Sequence, residues 1–401
     1  MPTTRLDPRA GIARHATPAP DAPPTTSPPP RPRLFVDRVS TAAGEILAGL
    51  GLEPAPSPAE ADLVWMRAKY HAWYPRLREH QALNHLPGEG VLTRKDNLTA
   101  CLHAHAHAHP RAAFSHRDFY QPSFRLDDPR EREAFIAQLP AEDRPENVWI
   151  LKPATLSRGI GIRIGWQLGW LREALRVGRP VQYIHEGKPA AYIAQRYIRN
   201  VLLLNGRKSE LRIYWLIASL DPLLVLMYHE GTARLTSRDY RPDDYDDALM
   251  HITNTYQQKK HGGVTPDTEL KWDFPRLQDY LVREKSAAPD FLARQLRPKL
   301  KKMLACVVRA GEADLRRVPG PGHFFSLLGA DVILDDTLTP WLTEIQKGPG
   351  LSYDDPVKVR VIPPMLQGAV KIVLDVIDHK KRGAPLTGLV PAPGYEWVIA
   401  P

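Results

Sequence analysis

The stretch at 329–350, GADVILDDTLTPWLTEIQKGPG, decides how the chain is read. Two β-rich runs, 330–334 and 340–345, flank the turn residues Asp335, Asp336 and Thr337, so the pattern predicts an antiparallel hairpin. A turn centred between Thr337 and Leu338 sets Asp331 directly across from Glu344, with Cβ atoms roughly 4.5–5.5 Å apart. Gln346 lies two positions beyond Glu344 and so points to the same face. Two opposed carboxylates repel unless positive charge sits between them. Magnesium suits the place, because it takes oxygen ligands and is usually held by one or two carboxylates plus substrate phosphates. A solvated hairpin face is the other reading of the same residues.

Working outward, GRKSELRIYW at 206–215 reads as a strand after a turn at Gly206. Lys208, Glu210 and Arg212 then share one face, and Leu211, Ile213 and Trp215 the other. Such a strand lines a charged pocket or forms an exposed face with an internal ion pair. NVWILKPA at 147–154 is a β-rich run ending at Lys152, followed by the loop LSRGIGIRIG with Gly159, Gly161 and Gly165. A lysine beside such a loop can hold phosphate oxygens while backbone N–H groups cover them. The loop lacks the GK[ST] of a P-loop and the helix-opening glycine fingerprint of dinucleotide folds. AAYIAQRYI at 190–198 is a further strand, ending near Gln195. HITNTYQQKK at 251–260 is a polar patch whose spacing shows no mechanism, and a surface turn is its default reading.

Nearer the N-terminus, SPAEADLVWM at 57–66 predicts a turn capped by Ser57 leading into a strand. The segment 88–109 predicts a loop and then a helix starting at or near Thr93. His103, His105, His107 and His109 alternate with alanine, but on a helix only pairs four apart, such as His103 and His107, share a face. A solvated segment accounts for them better than a metal site. The cations Arg294, Arg297, Lys299, Lys301 and Lys302 read as a solvated helix face, and no aromatic-laced strand supports nucleic-acid binding. Strands and helices together imply an α+β chain.

The bulk properties bound the rest. At 401 residues with 43% hydrophobic and 25% charged residues, the chain can bury a large core in two or three lobes. Residues 1–33, rich in Pro, Ala, Thr and Arg, cannot bury apolar surface and are expected to be disordered. That segment has no apolar signal-peptide region, and its prolines argue against an amphipathic transit helix. No apolar run is long enough to span a membrane, since Asp221 and Pro222 interrupt the best candidate. Cys101 and Cys306 cannot build a disulfide framework, which points to a reducing, cytoplasmic setting. The net charge of +9 attracts nucleic acid, membranes, ATP or acidic protein tails alike.

Taken in order, five motifs resemble the tubulin–tyrosine ligase-like family: LNHLPGEGVLTRKDNL, WILKPATLSRGIGI, IAQRYIRNVLLLNGRKSELRIYWLI, HITNTYQQKK, and the hairpin itself through GLS. The resemblance covers roughly residues 60 to 380. It implies an ATP-grasp fold, with ATP between two α+β lobes and a smaller lobe in front. The expected divisions are 34–93, 94–193 and 194–390. It also implies an ATP-dependent carboxylate–amine ligase that adds an amino acid of the Tyr, Glu or Gly type to a protein or peptide carboxylate through an acyl phosphate. Tubulin tails are the usual acceptors. A ligase for small peptides or metabolites, or a degenerate ATP-binding protein, are the alternatives.

By position, the resemblance puts Lys95, Lys152 and Lys208 on ATP phosphates and Gln195, Tyr197 and Ile198 beside the adenine. Glu210 joins the nucleotide-binding set. Arg212, Arg234, Thr253 and Asn254 would face the acyl phosphate or incoming amino acid, and Asp331, Glu344 and Gln346 would hold Mg²⁺. Gln346 stands where the family usually has Asn, Glu210 replaces the usual Asp, and Lys347 and Gly348 differ from the common small pair.

Overall fold

The structure, a computed structural model, describes residues 31–37, 41–67, 72–262, 264–265, 268–317, 320–353 and 355–401. Nearly all of the tail expected over 1–33 lies outside them. Among the described residues of Pro32–Pro401, sixteen strands form two sheets, and the chain is a mixed α+β protein.

Four short strands come first: β1 (Arg33–Val36), β2 (Glu53–Pro54), β3 (Leu63–Trp65) and β4 (Ala82–Asn84). Next are β5 (Ser123–Arg125), β6 (Trp149–Pro153), β7 (Arg163–Gly165), β8 (Gln182–His185) and β9 (Lys188–Arg196). The last group is β10 (Leu203–Leu204), β11 (Arg207–Leu220), β12 (Leu223–Leu235), β13 (Lys271–Asp273), β14 (His323–Leu334), β15 (Pro340–Gln346) and β16 (Tyr395–Ile399). The larger sheet runs β13-β12-β11-β14-β4-β3-β1-β2, with β10, β15 and β16 branching from β11, β14 and β12. The smaller runs β5-β9-β6-β7, with β8 on β9.

The alternation along β11 explains the layering. Leu211, Ile213, Trp215 and Ile217 join one apolar cluster with Leu300, Met303, Leu304, Val307 and Val308 of the helix Arg297–Leu315. Those helix positions recur at three- and four-residue spacing, which makes one apolar stripe. Tyr214, Leu216 and Ala218 point the other way, into a cluster with Ile362, Met365, Leu366, Ala369 and Val373 of the helix Pro356–Lys381. Each buried aliphatic side chain of this kind contributes about 1.5–3 kcal/mol. Further back on that second face, positions 212, 210 and 208 are Arg, Glu and Lys. A central strand buried on both sides for most of its length thus ends in three charges.

Two local expectations shift. Thr93 closes a short helical turn, Gly90–Thr93, and extended Arg94 separates it from the helix Lys95–Ala108, so Lys95 sits at a helix start. Ser57 precedes the 3-10 turn Pro58–Glu60 but bonds Glu60 through its side chain and caps no backbone N–H. The turn at Gly206 has Asn205 (φ 50°) and Gly206 (φ 77°) both left-handed between the paired residues Leu204 and Arg207. That is the two-residue hairpin turn whose twist matches its strands. No helix among the described residues is long and apolar enough to cross a membrane. Both cysteines are free thiols.

Candidate active site

The charged end of β11 meets equally charged neighbours across the sheet. Arg212 pairs in register with Asp331 of β14, Asp331 with Glu344 of β15, and Glu210 with Arg234 of β12. Rows two residues apart share a face, so this face carries alternating carboxylates and guanidinium groups.

The hairpin reaches this register by a different route from the one its sequence suggests. Leu334 pairs with Pro340, Ile333 with Trp341 and Val332 with Leu342, which centres the turn on Thr337. The register then slips, and Asp331, Ala330 and Gly329 pair with Glu344, Ile345 and Gln346. Thr343 is the extra residue, a β-bulge of the sort that re-aims side chains near sites. Its hydroxyl donates to Glu210 Oε1 (2.5 Å) and the Asp331 carbonyl (3.1 Å).

Asp331 is 1% exposed and held by two arginines. Arg212 donates Nε to Oδ1 at 2.6 Å and Nη2 to Oδ2 at 3.1 Å, and Arg234 Nη2 lies 2.8 Å from Oδ2. Burial alone would raise this carboxyl, but the paired guanidinium groups overcome it and hold Asp331 well below the usual carboxylate range. Arg212 also donates to the Pro349 carbonyl at 2.6 Å. Its side chain lies flat over Gly329, where a Cβ would come 2.8 Å from Arg212 Cδ. Glu210 accepts from Arg234 (2.8 Å), Thr253 (2.6 Å) and Thr343, so both of its oxygens are taken by protein donors.

The smaller sheet supplies the opposite wall. Lys152 on β6 is 6% exposed and donates to Gln195 Oε1 of β9 at 2.7 Å and to the Thr343 carbonyl at 3.3 Å. Gln195 in turn donates to Ser123 at 2.9 Å. Burial pushes the Lys152 ammonium down to about 8, against the pull of Glu344 and Glu210. Lys208, 3% exposed, is pushed down to about 7 by burial, again opposed by Glu210. Lys95 spans the two walls, donating to the Leu156 carbonyl at 2.7 Å and meeting Glu344 Oε2 at 3.1 Å. The glycine loop over the opening turns at Gly161 (φ 71°), where a Cβ would come within 2.9 Å of Tyr183 and Pro153.

One cavity is lined by Lys95, Lys152, Lys208, Glu210, Arg234, Thr253, Asn254, Asp331 and Glu344, all singled out in the sequence. Arg212, Gln195 and Tyr197 stand behind its wall through the bonds just described or, for Tyr197, a bond from Lys208 at 3.0 Å. Ile198 packs with Val201 and Ile333, and Gln346 donates its amide to Glu344. Sequence reasoning missed an apolar lining of Ile150, Ile160, Ile162 and Ile333, as well as His251 and Thr343. The 251–260 patch is no plain surface turn, since His251 and Thr253 are 3% and 5% exposed.

Five cations (Lys95, Lys152, Lys208, Arg212, Arg234) face three carboxylates (Glu210, Asp331, Glu344). That surplus suits a polyanion such as a nucleotide triphosphate. Among the described residues no group of three or more His, Cys, Asp or Glu could hold a metal ion, the histidine tract included. The donor set at the hairpin is two carboxylates and an amide. Because the Gln346 amide nitrogen is turned to Glu344, its carbonyl oxygen is left available. Glu344 keeps a partly exposed carboxylate. With both Asp331 oxygens already held by guanidinium groups, Glu344 and the Gln346 carbonyl are the hard oxygens that fit magnesium, which needs few protein ligands when phosphates supply the rest.

Comparison with known proteins places the chain in a family. The model of the tubulin-tyrosine ligase family matches residues 75–382. The human tubulin polyglutamylase TTLL5 is 29% identical over 349 residues, 84% of this chain and 25% of that protein. The probable tubulin polyglutamylase TTLL2 of Mus musculus is 32% identical over 304 residues, covering 73% of this chain and 51% of the relative. The protein polyglycylase TTLL10 of Macaca fascicularis is 28% identical over 375 residues, 82% and 59% of the two chains. The chain therefore spans about a quarter of the length of the TTLL5 polyglutamylases. With the family model matching well over half its length, the chain belongs to the tubulin-tyrosine ligase family.

Proposed function

We propose that this chain is an ATP-dependent carboxylate–amine ligase that joins glutamate or glycine to a carboxylate of a protein acceptor. The observation that carries the reading is the cavity itself: buried lysines from two sheets converge on opposed carboxylates beside an apolar slot. The names of the relatives, polyglutamylases and a polyglycylase, support glutamate or glycine as donor and tubulin as one acceptor. The free thiols suit a reducing, cytoplasmic setting.

In this reading Ile150, Ile160, Ile162 and Ile333 sandwich the flat adenine ring, and Lys95, Lys152 and Lys208 hold the phosphate oxygens. Glu344 and Gln346 are the residues that would hold magnesium, which when bound neutralises charge on the phosphates. The acceptor carboxylate forms a bond to the γ-phosphorus as the bond to ADP breaks. The amine then forms the C–N bond as the C–O bond to phosphate breaks, and one proton leaves the nitrogen. Little covalent work falls to the protein, so positioning and charge do most of it. Arg234 and Arg212 are locked on Asp331 and Glu210, so they present fixed positive charge without reorganising.

The test is release of ADP by the purified protein with magnesium, scanned across the amino acids with and without an acidic protein acceptor. Release stimulated by glutamate or glycine together with acceptor is expected. Stimulation without any acceptor would favour a small-molecule ligase, and tight ATP binding with no release under any pairing would make the chain a degenerate binding protein.

A further inference from the structure

His251 ends the short helix Ala248–His251 in the cavity wall. Its Nε2 meets the main-chain carbonyl of Asp244. A carbonyl only accepts, so Nε2 carries the ring proton. Burial, reinforced by Lys208, keeps the imidazole below its ordinary pKa, so the ring is neutral and Nδ1 offers a lone pair. Tyr197 Oη lies 2.8 Å from that Nδ1 and donates to it. The hydroxyl oxygen, its proton committed, accepts from Lys208 Nζ at 3.0 Å. The Lys208 ammonium also sits 4.5 Å from the Tyr197 ring centroid. The Asp244 carbonyl fixes the imidazole as an acceptor at Nδ1, and Tyr240, whose hydroxyl donates to the Arg199 carbonyl at 2.9 Å, also hydrogen-bonds the Tyr197 hydroxyl. Tyr240 and Tyr245 pack on the imidazole with ring centroids at 5.3 and 5.4 Å and hold its plane.

Lys208 differs in this respect from the other cations of the site. Lys95, Arg212 and Arg234 each have a carboxylate partner, and Lys152 has Gln195. Among the described residues, the one hydrogen bond of the Lys208 ammonium goes to Tyr197. A four-carbon stem is flexible, and a ligand that must order it loses affinity. We propose that His251 and Tyr197 are positioning residues that hold the Lys208 ammonium in the orientation a nucleotide phosphate requires. The nucleotide half of this rests on the reading of Lys208 as a phosphate contact; the positioning half does not.

Two readouts on the full chain test it: ATP affinity by calorimetry, and the rate at which acetic anhydride acetylates Lys208, followed by mass spectrometry. Tyr197→Phe and His251→Phe each remove one link, and His251→Asn places an amide oxygen near the Nδ1 position. Both Phe variants are expected to weaken ATP binding roughly tenfold, the scale of one hydrogen bond to a charged group. They should also acetylate Lys208 faster, because the freed amine loses an acceptor that favours its charged form. His251→Asn should restore most of both properties, which a variant that merely damaged folding would not. The double variant Tyr197→Phe/His251→Phe should be no worse than either single one, since the links act in series. Unchanged Lys208 acetylation in both Phe variants, or fully additive losses in the double variant, would overturn the proposal. A wild-type protein that binds no nucleotide, with acetylation still responding, would remove the proposed function and leave the positioning in place.

Discussion

Glu344 faces Asp331 because Thr343 is an extra residue in its strand. The turn alone, centred on Thr337, would have set Glu344 opposite Ala330 and turned its carboxylate to the other face of the sheet. The bulge therefore decides whether the hairpin carries one carboxylate or two on the cavity side. Adding one alanine after Thr343 moves Glu344 one position along the strand and turns its carboxylate to the other face, so it is expected to cut ATP-driven turnover by about 10²–10³, the usual loss of one preorganised stabilising group, while the protein still folds by circular dichroism. Turnover within a few-fold of wild type would contradict this account of the register.

Gly329 makes room for Arg212, whose Cδ would lie 2.8 Å from a Cβ there. Gly329→Ala should lift the guanidinium off Asp331 and leave a buried carboxylate short of one partner. A broken buried pair costs about 3–5 kcal/mol, read as a lower urea midpoint at unchanged slope. Arg212→Lys keeps the charge and loses the two-pronged geometry, so its loss should be smaller.

Lys208 and Lys152 give up protons near pH 7 and 8 when no ligand is bound. Phosphate oxygens favour the charged lysines, so ATP binding should take up protons near neutral pH. Calorimetry in buffers of different ionisation enthalpy checks this, and affinity should fall as pH rises from about 7 to 9. Stability of the unliganded protein runs the other way. Both folded pKa values lie below the unfolded lysine value of about 10.4, so between them the unfolded chain binds more protons and stability rises with pH.

Gln346 donates its amide to Glu344. Gln346→Asn shortens the arm and withdraws that donor, freeing the Glu344 carboxylate. The magnesium concentration giving half-maximal ADP release should fall, measured by titration at saturating ATP. A higher requirement would contradict the reading that the Gln346 amide ties up the Glu344 carboxylate.

The sequence was most legible where a period or a turn signal dictates direction. Alternation along 208–215 separates the charged from the apolar face of β11, and Gly206 marks the turn before it. The opposition of Asp331 and Glu344 was read from a turn centre half a residue away, and the bulge at Thr343 makes up the difference. Nothing local announces a bulge, because it depends on what Thr343 bonds across the sheet. The partners of the site lay further from reach. Lys152 and Gln195 are 43 residues apart, and Arg212 and Asp331 are 119 apart. Gly329 did carry a signal, a glycine inside a strand pattern, which often marks a close approach. His251 carried no signal of its role beyond opening the 251–260 motif, because that role rests on three tyrosines brought to it by the fold.

The most direct measurement is mass spectrometry of an acidic acceptor such as a tubulin tail peptide after incubation with the protein, ATP, magnesium and either glutamate or glycine, with Glu344→Gln alongside. The account predicts acceptor heavier by the added amino acid, with the new amide on a carboxylate and the product reduced by about 10²–10³ in the variant. Acceptor unchanged in mass with every amino acid, or equal product from Glu344→Gln, would contradict it.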